Sequence, residues 1–265
     1  MKAGLFGLNC AVVKEMVIMP EVCEVPGVPD YVRGVINLRG RVTPLVDLRR
    51  RLGLRSSQEE VEELCGLMEQ RAQDHKRWVE ELEASVKEGG KFTLARDPHQ
   101  CAFGKWYDNF KTSNIMLSGF LKKFDAPHKK IHALADEIEG LKECAGQTEG
   151  CREKALQVLE RGRSGALATM IKLFGDFQQM IRETHREIAV VLHGHAGTYA
   201  VSVDSVASVE RLAANEMEEL ANTGLEQQSG LVTSVAKRAK TNELILILAP
   251  DAILDPTMQA RLGMT

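Results

Sequence analysis

Aromatic residues are scarce. Phe, Trp and Tyr make up 5% of the 265 residues, so the chain offers no obvious platform for stacking unpaired bases. Neither sign of charge prevails, with 34 Lys and Arg against 37 Asp and Glu and a net charge of −3. A general electrostatic pull toward nucleic acid or an anionic membrane surface is thereby excluded. Long apolar runs are missing too. The longest, Leu244–Ala249, falls far short of the roughly 20 residues that span a bilayer, so no direct membrane insertion is expected. The stretch from Met1 to Cys10 is broken by Asn9 and followed at once by Lys14-Glu15, which argues against a secretory signal. Six cysteines at 10, 23, 65, 101, 144 and 151 show no disulfide-framework spacing, and a reducing, cytoplasmic setting is the simplest reading. There is no His-Glu-x-x-His, no glycine-rich phosphate loop and no nucleophile elbow, so the common signatures of hydrolases and nucleotide enzymes are absent.

What is present divides into three stretches. Residues 1 to about 55 and about 187 to 265 carry short Val-, Ile- and Leu-rich runs between Gly and Pro, the pattern of β-structure. Strands are expected at Val12–Met19, Val32–Leu38, Arg41–Val46, Glu187–Leu192, Thr198–Val203, Val206–Leu212, Leu231–Arg238 and Glu243–Leu248. Residues 56–186 are interrupted only by Pro98 and Pro127, and amphipathic periodicity dominates. Leu64, Met68, Ala72, His75, Val79, Leu82 and Val86 recur at three and four residues, one stripe on one helix. Ser56 or Ser57 suits its N-cap and Gly89-Gly90 its end. Further helices are expected from about Pro127 to Cys144 and from about Cys151 to Arg186, with shorter pieces at Cys101–Phe110 and Ser113–Phe124. The reading is an α+β multidomain protein, with a bundle of about four helices (56–186) inserted into a β domain (1–55 and 187–265). The β stretches echo one another: strand, turn, apolar strand and helical turn over Val35–Leu52 recur over Val235–Leu254. That repeat points to two related small barrels side by side, one from each flank.

Within the helical stretch, one cysteine and three histidines stand out. His75 and the pair His128 and His132 each fall on the apolar stripe of their own helix, so all three face one core. An i, i+4 histidine pair projects both rings the same way from adjacent turns. Cys101 opens Cys-Ala-Phe-Gly-Lys-Trp between them. Each alone has an ordinary explanation as a hydrogen-bonded core histidine or a buried thiol. Together they supply three imidazoles and a thiolate, a full set for tetrahedral zinc, and unpaired imidazoles in a core are costly. His99, His185, His193 and His195 lack such a setting, and Cys144 and Cys151 flank a loop without metal spacing.

His75-Lys-Arg-Trp78, Cys101-Ala-Phe-Gly-Lys-Trp106 and His128-Lys-Lys-Ile-His132 together resemble the bacterial chemoreceptor zinc-binding (CZB) domain, over roughly residues 65–185. The resemblance implies Zn2+ on His75, Cys101, His128 and His132. The flanks resemble CheW, the coupling protein of chemotaxis arrays. Val25-Pro-Gly-Val-Pro-Asp-Tyr-Val-Arg-Gly-Val-Ile-Asn-Leu-Arg-Gly-Arg-Val-Thr-Pro-Leu-Val-Asp-Leu-Arg49 carries the likeness, and Tyr199–Val206, Val235–Arg238 and Glu243–Leu254 match more loosely. That family's fold is two packed five-stranded barrels. The first strand of the first barrel is expected to be missing or very short here.

By that likeness the protein binds rather than catalyses. It would bridge the histidine kinase CheA and the cytoplasmic tips of chemoreceptors, with Asn37, Leu38, Arg39 and Gly40 on the partner surface and a homodimer through the helices as a further expectation. The zinc bundle would sense zinc, or an oxidant acting on Cys101. Two alternatives stay open: a non-chemotactic scaffold with a purely structural zinc, and a zinc hydrolase with Asp74 or Asp125 as base.

Overall fold

The computed structural model describes residues 4–112, 114–144, 149–195, 197–219, 230–238 and 241–261. The chain forms two compact units, one of residues 1–57 with 186–265 and one of residues 58–185.

Among the described residues the first unit holds ten strands: β1 (Leu5–Gly7), β2 (Val13–Ile18), β3 (Val22–Cys23), β4 (Val32–Leu38), β5 (Arg41–Asp47), β6 (Ile188–Gly194), β7 (Gly197–Val203), β8 (Met217–Glu219), β9 (Val232–Lys237) and β10 (Leu244–Leu248). They form a six-stranded sheet in the order β2-β6-β7-β5-β4-β3 and a four-stranded sheet in the order β1-β10-β9-β8. The alternation of the sequence sets the two faces of the larger sheet. Val32, Val46, Val190, Leu192, Tyr199 and Val201 enter a core that also takes Val232, Leu248 and Ile253, while Ile36, Leu45, Ala189, Val191 and Ala200 fill a core on the other face.

The expectation of one barrel from 1–55 and another from 187–265 needs correction. Strands from both flanks share each sheet: β2 pairs antiparallel with β6, β5 runs parallel to β7, and β1 runs parallel to β10. Pairing is decided by which apolar faces can be buried together, and chain order carries no such information. The short first strand is β1, and it lies in the sheet of β8–β10. A second correction concerns Val206–Leu212, which forms no strand. Its side chains bond outward instead: Ser208 and Glu210 both meet the Arg238 guanidinium. The internal echo is real in outline. The hairpin β4–β5 leads into α1 (Leu48–Arg51), and the antiparallel pair β9–β10 leads into α8 (Pro250–Ile253). A last helix, α9 (Pro256–Arg261), follows.

The second unit is helical. Its elements are α2 (Ser57–Glu88), α3 (Ala102–Asn109), α4 (Ile115–Leu121), α5 (Asp125–Cys144), α6 (Glu149–Gly162) and α7 (Ala168–Thr184). Helix α2 begins at Ser57, directly after Ser56, and Gly89 takes the left-handed conformation after its last turn (φ 72°), as a glycine C′ residue does. One core takes Met68, Val79 and Leu82 from α2, Phe103 from α3, Phe120 from α4, Ile131 and Ile138 from α5, Leu159 from α6 and Met170, Phe174 and Phe177 from α7. The helix expected from Cys151 to Arg186 carries a π turn at Arg163–Leu167. The extra residue advances the stripe by one position, so Leu167 is buried while Ala166 beside it is half-buried. The loop 145–148 expected between Cys144 and Cys151 lies outside the described residues.

Candidate metal centre

Helices α2 and α5 supply the histidines. On α2 the stripe that buries Met68, Ala72 and Val79 also buries His75, and on α5 the stripe with Ile131, Ala135 and Ile138 buries His128 and His132. The cysteine comes from a different device. Cys101 is the N-cap of α3, and its Sγ accepts from Gly104 N at 3.2 Å. The ligating atoms of His75, Cys101, His128 and His132 all lie within 4.8 Å of one another. The four side chains singled out in the sequence are thus brought to one point.

The rings are held in a defined tautomer. His75 Nδ1 donates to Arg71 O at 2.7 Å, and His132 Nδ1 donates to Ala95 O at 3.1 Å. Each bond leaves Nε2 with its lone pair directed inward, where the Nε2 atoms of His75 and His132 are buried with no partner. His128 Nε2 lies 3.2 Å from Cys101 Sγ. Carbonyl-fixed imidazoles around inward lone pairs are the arrangement that metal-binding histidines show. Buried acceptors with nothing to accept are otherwise costly.

The electrostatics agree. Burial, and then the neighbouring His75 and His132 rings, push His128 down to about 3. Burial and then His75 push His132 down to about 4, and His75 is lowered mainly by burial. Burial pushes the Cys101 thiol up, opposed by the N–H groups of Gly104 and Phe103. Left alone, the cluster is three neutral bases and a neutral thiol. A divalent cation would satisfy both orphaned nitrogens and hold the sulfur as thiolate. One sulfur and three nitrogens suit zinc, so the residues fit the group.

A tight aromatic wall surrounds the cluster. Phe103 meets His75 and His128 edge to face, with ring centroids 5.8 and 5.0 Å apart, and Phe174 lies 5.9 Å from His75. Trp78 is buried 4.9 Å from His132, and Trp106 packs partly buried on the same core. Gly104 was not singled out by sequence reasoning. A Cβ there would sit 1.9 Å from Pro98 O, so only glycine lets α3 start so close to the loop before it. The signal was its place two residues before Trp106, inside the cysteine motif. The carbonyls of Arg71 and Ala95 could not have been found, because a backbone acceptor leaves no mark in side-chain identity.

Other candidates are elsewhere. Asp74 pairs with Arg71 and Arg77, and Asp125 with Lys129. His99 bonds Asp108, His193 bonds Thr198, and His195 lies 3.9 Å from Asp251. Asn37 and Leu38 end β4, and Arg39 and Gly40 make the turn into β5 in the first unit. Arg39 and Gly40 both have positive φ (52° and 83°), and Asn37 Oδ1 accepts from Gly40 N. The Arg39 side chain is 84% exposed and pairs with Glu15.

The CheW-like domain family matches residues 1–76, and the chemoreceptor zinc-binding domain family matches residues 75–139. CheW of Bacillus subtilis is 47% identical over 49 residues, 18% of this chain and 31% of that protein. Chemotaxis protein CheV3 of Helicobacter pylori is 41% identical over 51 residues, 19% of this chain and 16% of that protein. CheW of Treponema pallidum is 38% identical over 53 residues, 20% and 31% of the two chains. The matches therefore span less than a third of these curated relatives. The crystal structure of the scaffolding protein TtCheW from Thermoanaerobacter tengcongensis superposes with a TM-score of 0.43 at 13% identity, over 97% of this chain and 90% of that one. No described helix is long and apolar enough to cross a membrane. The chain thus carries a stretch similar to the CheW-like domain and, after it, one similar to the chemoreceptor zinc-binding domain.

Proposed function

We propose that the protein is a zinc-containing coupling protein of bacterial chemotaxis, cytoplasmic, linking chemoreceptor tips to the kinase CheA. Zinc is held by His75, Cys101, His128 and His132. The observation that carries this reading is the pair of buried, partnerless Nε2 atoms of His75 and His132, each locked by a carbonyl on its other nitrogen, beside a cysteine sulfur. A structure with no use for a cation would bond those nitrogens or replace them.

Of the four side chains only Cys101 is not fully buried. An oxidant entering the centre meets the sulfur first. Zinc keeps that sulfur as thiolate, the oxidisable form. Hypochlorite would transfer one oxygen to it, giving sulfenate and chloride, and weaken one ligand of four. The chain crosses between the two units at α2, which carries His75, and at α7, which packs Phe174 on His75. In the first unit, the exposed Arg39 in the β4–β5 turn suits partner binding, since guanidinium offers several donors and a flat face. So does a cavity of about 640 Å3 lined by Leu5, Phe6, Leu52, Val206 and Ile247.

A hydrolase needs an open metal position and a base at the metal. Here four side chains converge, and Asp74 and Asp125 are engaged in ion pairs, so binding is the better reading. Metal analysis of purified wild type and Cys101→Ala, with pull-down of CheA and a receptor fragment, tests it. About one zinc per chain and kinase capture by the wild type are expected. A Cys101→Ala protein that folds but couples differently supports sensing, and one that loses its fold supports zinc as a staple. Wild type without zinc refutes the reading.

A further inference from the structure

The segment between α2 and α3 contains no helix or strand, yet it is fastened with unusual care. Ala95 O accepts two bonds, one from Trp78 Nε1 at 2.8 Å and one from His132 Nδ1 at 3.1 Å. Phe92 is buried against Trp78, ring edge to face at 5.0 Å. Next to Ala95, Arg96 reaches α5, pairing with Glu139 at 2.6 Å and lying 3.8 Å from Asp136. On α2 Trp78 lies one turn beyond His75, and on α5 Asp136 and Glu139 lie one and two turns beyond His132. The loop therefore ties the two histidine-bearing helices together through a carbonyl that also fixes the His132 tautomer.

We propose that Trp78 and Arg96 are positioning residues of the metal centre, setting its zinc affinity through the Ala95 carbonyl. This inference rests on the zinc reading above. Neither side chain is a ligand. Trp78 presents its N–H to the carbonyl that orients His132, and Arg96 holds that carbonyl's peptide against α5. Without them the loop still closes the chain, but His132 loses a fixed partner, and a mispositioned ligand weakens metal binding by roughly 10- to 100-fold where the orienting contact is lost outright. Arg96 is partly exposed, so its share is smaller and screened by salt.

The test is zinc competition against a chromophoric chelator with the full-length wild type, Trp78→Phe and Arg96→Gln, with far-UV circular dichroism as the check on folding. Phe keeps an aromatic ring beside Phe92 and His132 while removing the N–H together with the second ring of the indole, so the histidine resonances separate the lost bond from lost packing. The zinc dissociation constant should rise about tenfold in Trp78→Phe. It should rise about threefold in Arg96→Gln, the latter difference shrinking at high salt. NMR of 15N-histidine-labelled protein gives the readout that general loosening would not produce. The Nδ1–H resonance of His132 should shift and exchange faster in both variants, while that of His75, bonded to Arg71 O, stays unchanged. Should Trp78→Phe fail to fold, Arg96→Gln decides alone. Folded variants that bind zinc as tightly as the wild type, or His75 and His132 resonances that move together, overturn the proposal. Wild type that binds no zinc defeats the earlier reading instead.

Discussion

Gly104→Ala isolates how closely the cysteine helix must approach its preceding loop. The new Cβ would stand 1.9 Å from Pro98 O and 2.9 Å from its carbon. Both are backbone atoms, so no side chain can turn aside, and the start of α3 must move by about 1 Å or more to restore ordinary contact. Overpacking of this kind costs about 1–3 kcal/mol. The Gly104 N–H bond to Cys101 Sγ is strained or lost, about 0.5–1.5 kcal/mol more, while alanine's helix propensity returns up to about 1 kcal/mol. The net is a loss centred on about 2 kcal/mol, transmitted to the centre because Phe103 packs on His75 and His128. Gly66→Ala is the control. Gly66 lies within α2 with nothing within 4 Å of its would-be Cβ, and alanine there should stabilise by about 0.5–1 kcal/mol. Urea unfolding of zinc-free protein, followed by helicity, measures both; zinc titration of Gly104→Ala should also show weakened binding. Equal stability of the two variants would refute the close-approach argument.

Acid should destabilise the zinc-free helical unit earlier than it does most folds. His128 and His132 titrate near 3 and 4 when folded against 6.5 unfolded, so the unfolded chain binds more protons and stability falls as pH drops from about 6.5. Unfolding midpoints that stay flat between pH 7 and 5 would contradict this. Chelation at neutral pH should lower the melting temperature of the helical unit, and a thousandfold excess of zinc over its dissociation constant should restore about 4 kcal/mol; calorimetry with and without chelator decides. Arg39→Ala should weaken CheA or receptor capture while leaving stability within about 0.5 kcal/mol, as befits an exposed pair. Gly40→Ala at φ 83° should instead cost about 1 kcal/mol through backbone strain in the turn, and urea midpoints of the two separate binding from folding.

The periodicity of residues 56–186 was enough to place helices, because a buried stripe at three and four residues has few other solutions. His75, His128 and His132 were legible for the same reason: each sat on a stripe where an unpaired imidazole needs an explanation. Cys101 was legible as a residue but not as an N-cap whose sulfur is held by Gly104. Alternating runs marked most strands, yet Val206–Leu212 alternates too and forms none, since its polar side chains bond Arg238.

By itself the sequence determined the long helices and most of the longer strands, the four side chains that meet in the helical segment, and that this segment interrupts a β-rich stretch. These follow from local periodicity and turn chemistry, which every short window of chain carries. Only the tertiary structure decided that strands from both flanks share each sheet, that an extra residue turns α6 into α7 through a π turn, and that the carbonyls of Arg71 and Ala95 fix the histidine tautomers. Those choices depend on backbone atoms and on surfaces far apart in the chain, and no local pattern of side chains encodes them.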